Sequence, residues 1–224
     1  MVASINYRMG FHKLTYYVPY AVCIQDKCVY AFDSSEVIRA NYRAMQDAKA
    51  AVRFMKARFK QDSTDPNNVY LLGESAGAFI TYAAAYLDND TEKPQVCGKL
   101  GNVGTPDTDL DSCLPSNPSY ARPDLGSVNG RLNINGMDAK VKGAACFYGG
   151  VFEPRIFKNS DAADTPVLYL FHQTCDVIVD NNKSTLLSKL YQYCFNPINL
   201  CQPIATMPPA YGTTELTKYL DTVS

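Results

Sequence analysis

The sequence predicts an α/β fold in which a mostly parallel sheet is flanked by helices. Short segments that are nearly continuous in apolar residues are typical of strands buried on both faces. Segments with helical periodicity alternate with them along the chain, which favours parallel strands joined by helical crossovers. With 224 residues, 46% of them hydrophobic and 19% charged, the chain has enough apolar material for a core. We therefore expect one domain whose sheet is covered by helices on both faces.

The first half of the chain is predicted to alternate strands and helices. Residues 2–7 are mostly apolar and β-favouring and predict a strand, after which loop-rich chain follows. Residues 41–61 place apolar side chains at helical spacing with charges on the opposite face, which indicates an amphipathic helix. A short apolar strand at 68–72 and a helix at 78–87 complete this half.

The second half contains a long irregular stretch and two more apolar strands. Residues 88–140 are rich in Gly, Pro, Asn, Asp and Ser, and predict a loop-rich insertion that is either functional or an external excursion. Residues 141–148 and 166–171 predict buried strands. A helix is expected over roughly 182–193, and the remainder reads as Pro-rich loop with a short closing segment.

The junction of the 68–72 strand and the 78–87 helix carries the most informative motif, Gly73-Glu74-Ser75-Ala76-Gly77. A Gly-x-Ser-x-Gly pattern between a strand and a helix predicts a sharp, strained turn that presents the serine hydroxyl above the sheet edge. The glycines on either side are expected to remove Cβ atoms that would collide in this turn. The helix N-terminus supplies N–H donors and positive dipole where an oxyanion would form. An ordinary Gly-Ser turn before a helix is the simpler alternative.

Cysteine usage points to an extracytoplasmic, disulfide-bonded protein, either secreted or periplasmic. Eight cysteines are many for a reduced cytosolic enzyme. No Cys-x-x-Cys pair occurs and neither histidine lies near a cysteine cluster, so the spacing does not suggest a metal site. The pairs that could form disulfides are Cys23 with Cys28, Cys97 with Cys113, and Cys194 with Cys201, whereas Cys146 and Cys175 are equally compatible with bonding and with burial as free thiols.

Charge and hydropathy exclude two classes of partner. The formal net charge is −1 and no basic stretch stands out, so we expect no nucleic-acid partner. No apolar run approaches the ~20 residues that cross a bilayer, so we expect no membrane span. The first eight residues lack the charged, apolar and small-residue parts of a signal peptide.

Residues 65–78, which include the Gly-x-Ser-x-Gly motif, resemble the corresponding region of carboxylesterases of the α/β-hydrolase fold, in particular those of cholinesterase type. Residues 2–10 resemble the strand that these esterases place one crossover earlier, and 46–48 resemble a segment between the two. The resemblance implies a serine hydrolase that acts on small-molecule or polymer-linked carboxylic esters through an acyl-enzyme on Ser75. It implies no metal and no organic cofactor, and it leaves the oligomeric state open.

The resemblance also assigns the catalytic acid. In α/β-hydrolases the acid follows the serine in the chain, and Asp176 falls on the matching position just past the 166–171 strand. Asp180 is the second choice, and the simpler alternative for Asp176 is a solvated or helix-capping aspartate. The family places its histidine base after the acid, whereas the two histidines of this chain, His12 and His172, both precede Asp176. We expect His172 to be a structural residue at the end of its strand and His12 not to be the base.

A second family feature is also missing from this chain. These esterases make most of the oxyanion hole from a Gly-rich loop upstream of the first strand, and no such loop is present. Of the family's oxyanion-hole donors, only the N–H of Ala76 has a counterpart in this chain. The sequence therefore looks like an α/β-hydrolase domain cut at both ends. Three hypotheses follow: part of a serine esterase, a non-catalytic hydrolase-like binding module, or a serine peptidase of the same fold.

Overall fold

A computed structural model of the chain describes residues 1–8, 34–104, 119–158, 165–191 and 207–223. The α-helices in these ranges are α1 (Ser34–Ala57), α2 (Phe59–Asp62), α3 (Ala76–Tyr86), α4 (Ser188–Tyr191) and α5 (Thr213–Val223). The strands are β1 (Tyr70–Glu74), β2 (Leu100–Gly104), β3 (Ser119–Arg122), β4 (Gly143–Phe147), β5 (Val167–Phe171), β6 (Lys183–Thr185) and β7 (Pro209–Tyr211). Short 3-10 helices span Asp90–Glu92, Gln95–Cys97 and Pro154–Phe157.

A parallel sheet of three strands, in the order β1-β4-β5, forms the centre of the fold. Its register pairs Tyr70 with Gly143 and Gly143 with Val167 at the amino end of the strands. At the carboxyl end, Phe147 of β4 lies between Glu74 and Phe171. Helices and a parallel sheet together confirm the α/β class, and the antiparallel pairs β2-β3 and β6-β7 lie outside this sheet.

One face of the sheet carries the main hydrophobic core. Helix α3 packs against β1 and β4, and α1 packs against α3. Met45 of α1 and Ala78 of α3 are completely buried in this core, together with Ala144 and Cys146 of β4. The small side chains of Ala78 and Ala144 let α3 approach the sheet closely. Burial of a larger side chain such as Met45 stabilises the fold by about 2 kcal/mol.

The opposite face of the same sheet is exposed. The strand register places a set of large apolar side chains on this face, each at least half exposed: Tyr70 (64%), Leu72 (71%), Val167 (71%), Tyr169 (56%) and Phe171 (50%). The prediction of a sheet covered on both faces is therefore wrong within the described part of the chain. The strands are apolar on both sides as the sequence indicated, but α1 and α3 both lie on the other face.

The polar side of α1 is buried beneath the 88–140 insertion. Arg39 donates to the carbonyls of Val96, Gly98 and Pro123. Farther along the helix, Gln46 donates to the carbonyls of Leu125 and Ser127, and Arg53 to those of Asn129, Leu132 and Asn133. Hydrogen bonds from charged donors contribute about 1.5–3 kcal/mol each when buried. The described part of the insertion is thus bound to α1 and is not an external excursion.

The predicted strand at residues 2–7 is wrong. Residues 1–8 are irregular and mostly exposed, with Val2 98% exposed. A strand needs a neighbour for its backbone hydrogen bonds, and no described strand pairs with this segment. This segment is attached to α1 by an ion pair, in which Arg8 Nη2 lies 2.7 Å from Asp47 Oδ1.

The helix predicted over 182–193 is also wrong in its first part. Residues 183–185 form β6, which pairs antiparallel with β7, and the helix α4 begins only at Ser188. The closing segment contains the helix α5, whose Leu216 is fully buried in the core. Residues 192–193 lie outside the described ranges. Among the described helices, none is long and apolar enough to cross a membrane.

Candidate functional site

Ser75 occupies a strained turn between β1 and α3. Its φ of 53° and ψ of −119° lie in a region that residues with a side chain rarely adopt. Such a conformation costs on the order of 1–3 kcal/mol and persists only when neighbouring contacts enforce it. The Ser75 N–H donates to the Phe147 carbonyl at 2.9 Å, and the Ser75 carbonyl accepts from the Ala78 N–H at 2.9 Å. The strand–turn–helix geometry that the sequence predicts at this position is therefore present.

The two glycines of the motif have different roles. A Cβ at Gly73 would lie 2.1 Å from the Gly77 carbonyl oxygen and 2.5 Å from Thr81 Oγ1, so β1 can meet α3 this closely only with glycine. A Cβ at Gly77 would meet nothing within 4 Å among the described atoms. The prediction that a Cβ atom would collide in this turn is confirmed at Gly73. It is wrong at Gly77, because only the backbone of Gly77 approaches β1 closely and a Cβ there would face open space.

The residues on either side of Ser75 supply polar groups at the surface. The exposed Glu74 carboxylate accepts a short hydrogen bond from the Tyr148 hydroxyl. Ala76 is exposed and is the first residue of α3, so no carbonyl within the helix accepts its N–H. That N–H and the positive end of the helix dipole lie next to Ser75. The Ser75 side chain is partly buried and makes no hydrogen bond to any other described residue.

Asp176 lies in the loop after β5 and is 5% exposed. Its Oδ1 accepts backbone hydrogen bonds from Ile178 at 2.8 Å and from Val179 at 2.9 Å. Its Oδ2 lies 3.5 Å from His172 Nε2. The carboxylate therefore organises its own loop with one oxygen, and the structure gives it no hydrogen bond to Ser75.

His172 has a fully buried side chain, and both of its ring nitrogens have partners. Nε2 lies 2.9 Å from the Val179 carbonyl oxygen, which only an N–H can satisfy, so Nε2 carries the proton. Nδ1 then accepts from the Thr213 N–H at 3.4 Å, and lies 3.2 Å from the Thr213 hydroxyl. The His172 ring thus joins the loop after β5 to α5, and neither of its nitrogens is free to accept a proton from a serine. His12 lies outside the described residues.

Asp180, the second choice for the catalytic acid, interacts with residues that follow it closely in the chain. Burial would raise the pKa of Asp180, but the Asn182 N–H at 3.0 Å and the Lys189 ammonium at 3.4 Å outweigh it and hold that pKa below its usual value. Asn182 directly precedes β6 and Lys189 lies in α4. Asp180 therefore links neighbouring parts of the chain.

The thiols within the described ranges are free. Cys97 and Cys146 are buried, and burial raises the pKa of each thiol to about 12, whereas Cys175 is exposed. The predicted pairing of Cys97 with Cys113 is wrong, since Cys97 is free and packed in the core. The remaining cysteines, Cys23, Cys28, Cys113, Cys194 and Cys201, lie outside the described residues. Within the described ranges no group of three or more His, Cys, Asp or Glu side chains could hold a metal ion.

The end of β4 contributes to the site in a way that the sequence reasoning missed. A Cβ at Gly149 would lie 2.4 Å from Ala78 Cβ and 3.1 Å from the Ser75 carbonyl oxygen. The Tyr148 N–H donates to the Phe171 carbonyl at the end of β5. The Gly149-Gly150 pair at a strand end was the available signal, since paired glycines often mark close backbone approach. The ends of β1, β4 and β5 are thus joined behind Ser75.

Comparison of the chain with models of known protein families finds no match. Comparison with curated proteins and comparison with solved structures find no match either.

Proposed function

We propose that this chain carries the nucleophile and the acid of a serine hydrolase that acts on carboxylic esters. The observation that carries the proposal is the conformation of Ser75, whose φ of 53° places it on a strained turn between a parallel strand and a helix N-terminus. A strained residue held by surrounding contacts is typical of functional sites, because nothing in packing alone requires a serine there. The resemblance of residues 65–78 to carboxylesterases supports esters as the substrate class.

In the proposed reaction, Ser75 Oγ attacks the ester carbonyl carbon while a histidine base accepts the hydroxyl proton. The alcohol leaves with a proton returned by that histidine, and water then hydrolyses the acyl-enzyme. The Ala76 N–H donates to the oxyanion, a contribution of about 3 kcal/mol for one such donor. Asp176 orients the imidazole through Oδ2, since its Oδ1 already accepts two backbone N–H groups.

The catalytic base is the part of the proposal that the described residues do not supply. His172 has both ring nitrogens engaged and we do not expect His12 to be the base, so we propose that the histidine comes from outside the 224-residue chain. The same observation favours a second candidate function, a non-catalytic module that uses the hydrolase-like surface to bind a partner. The two differ in whether position 75 can be acylated at all.

The proposal predicts that the isolated chain hydrolyses p-nitrophenyl acetate with little or no turnover and without a burst. An unactivated serine hydroxyl is a poor nucleophile near neutral pH, because no base removes its proton in the attack. Stopped-flow absorbance of released p-nitrophenol measures both phases, and labelling by a fluorophosphonate probe gives an independent readout.

Ser75→Ala is the matched control, and it should be indistinguishable from the unmodified chain in both assays. A burst or a fluorophosphonate adduct that disappears in Ser75→Ala would contradict the assignment of the base to a site outside this chain. It would also show that a group within this chain activates Ser75.

A further inference from the structure

A cavity lies at the opposite end of the parallel strands from Ser75. It has a volume of about 400 Å³, is open to solvent on one side, and is bordered by α1, the C-terminal end of α3 and the 129–141 segment. Val141 and Pro166, which precede β4 and β5, place it at the amino ends of the strands. A volume of this size is within the range of small-molecule sites. It has room for on the order of ten non-hydrogen atoms, at about 30 Å³ for each water-sized group.

Two buried cations, Lys49 and Arg53, line this cavity one helical turn apart on α1, and each is 3% exposed. The other two buried cations of α1 have carboxylate partners, since Arg39 lies 3.6 Å from Glu36 and Lys56 lies 2.6 Å from Asp138. Across the described ranges Lys49 and Arg53 have no carboxylate at ion-pair distance. Removing a cation from water without a counter-ion costs several kcal/mol.

Neutral carbonyls satisfy these cations only in part. Lys49 Nζ donates to the Leu87 carbonyl, which leaves ammonium N–H groups unused. Arg53 donates from Nε and Nη2 to three carbonyls, and its Nη1 makes no hydrogen bond to a described residue. The guanidinium therefore keeps its two Nη1 N–H groups, which can donate to one oxygen of a carboxylate. Asp88 also borders the cavity and adds a negative charge beyond ion-pair distance from Lys49.

The remaining wall has an apolar part, which includes Ala84 and Ala85 of α3, and a polar part formed by Asn129, Asp138 and Lys140. A ligand that complements the two cations and the apolar part has an anionic head and a short hydrocarbon body. We propose that this cavity binds a small aliphatic carboxylate, with its carboxylate between Lys49 and Arg53 and its chain against Ala84 and Ala85. The site is separate from Ser75 and does not depend on the function proposed there.

The charge state of Lys49 gives this site a characteristic pH dependence. Burial and the neighbouring charge of Arg53 lower the pKa of Lys49 to about 8, against the opposing effect of the Asp88, Glu92 and Asp90 carboxylates. The empty site therefore loses its ammonium as the pH rises through that value. A bound carboxylate stabilises the ammonium and raises this pKa, so binding is favoured by low pH. Affinity for a carboxylate should therefore be greatest between the pH at which the ligand's own carboxyl group is protonated and pH 8. Above pH 8 the affinity should fall.

Isothermal titration calorimetry with sodium hexanoate on the whole chain tests the proposal. We expect saturable binding near neutral pH, roughly tenfold or more weaker binding of the neutral isostere hexanamide, and weaker hexanoate binding above pH 8. Ala85→Phe fills the cavity from α3 and leaves both cations in place, so it should abolish binding. Lys49→Met should weaken binding by a similar factor, and Lys60→Met, which removes an exposed lysine of α2, should have no effect.

Absence of hexanoate binding, equal binding of hexanamide, or unchanged binding in Ala85→Phe would each overturn the proposal. Ser75→Ala should bind hexanoate as the unmodified chain does. A loss of binding in Ser75→Ala would instead place the carboxylate at the Ser75 site and would contradict the site proposed here. Because Ala85→Phe retains the hydrogen bonds of both cations, the test does not depend on whether Lys49→Met folds.

Discussion

Gly73→Ala should lower the free energy of unfolding by about 3 kcal/mol or more. The new Cβ would lie 2.1 Å from the Gly77 carbonyl oxygen and 2.3 Å from its carbonyl carbon, and both are backbone atoms of α3. Neither can move without displacing the helix that forms the core against β1 and β4. Urea denaturation followed by circular dichroism measures the change.

Gly77→Ala is the matched control within the same motif. Its Cβ would meet nothing within 4 Å, and Gly77 is not among the glycines with positive φ. Alanine in a helix is favoured over glycine by roughly 0.5–1 kcal/mol, so this variant should be as stable as the parent chain or slightly more so. Equal losses for the two variants would contradict the geometry of the turn.

Asp176→Ala should lower the free energy of unfolding by roughly 2–4 kcal/mol, because it leaves two backbone N–H groups of the loop without an acceptor. The Ile178 and Val179 amides both bond to Oδ1 of this buried carboxylate. The side chain also lies beside the buried His172, whose ring ties the loop to α5. Thermal or urea unfolding measures the loss.

Asp176→Asn separates the structural role of this residue from its charge. The amide oxygen can replace Oδ1 as the acceptor for both N–H groups, so the expected cost is below about 1 kcal/mol. A destabilisation as large as that of alanine would show that the negative charge stabilises the loop. Near-neutral results for both variants would mean that the two backbone hydrogen bonds contribute little.

The parts of this fold that the sequence predicted are those that local chemistry determines. The Gly73–Gly77 motif predicts the turn at Ser75 because all of the evidence for it lies within about twenty residues of sequence. That evidence is the strand before the motif, the helix after it and the spacing of the glycines. The apolar segments at 141–148 and 166–171 similarly predicted β4 and β5. Asp176 was predicted to follow the apolar 166–171 segment, and it lies in the loop after β5, although its hydrogen bonds to that loop were not predicted.

The parts that were not predicted depend on contacts between distant segments. Residues 183–185 have no strong local preference, and they become a strand by pairing with β7. The cations of α1 are predicted to form a solvated helix face. Instead, Arg39 and Arg53 are buried against carbonyls of the 88–140 insertion that lie 76 to 84 residues away in sequence. The exposed sheet face was also missed, because apolar strands indicate burial on both sides regardless of where the helices pack.

The central claim is our proposal that the turn between β1 and α3 presents position 75 as a nucleophile, and that the serine lacks a base to activate it. A cysteine at this position removes the need for a base, because a helix N-terminus lowers the pKa of a thiol and the thiolate attacks esters directly. Ser63→Cys is the matched control, since Ser63 also has a positive φ of 51° but lies at the C-terminal end of α2. Both variants retain the same native cysteines as background.

The decisive measurement is the rate of acetylation of Ser75→Cys and Ser63→Cys by p-nitrophenyl acetate near neutral pH, followed by intact mass and peptide mapping. The account predicts that Cys at position 75 gains a single acetyl group roughly tenfold or more faster than Cys at position 63, and keeps it. Equal rates at the two positions would contradict the claim and would favour a hydrolase-like module that does not catalyse acyl transfer.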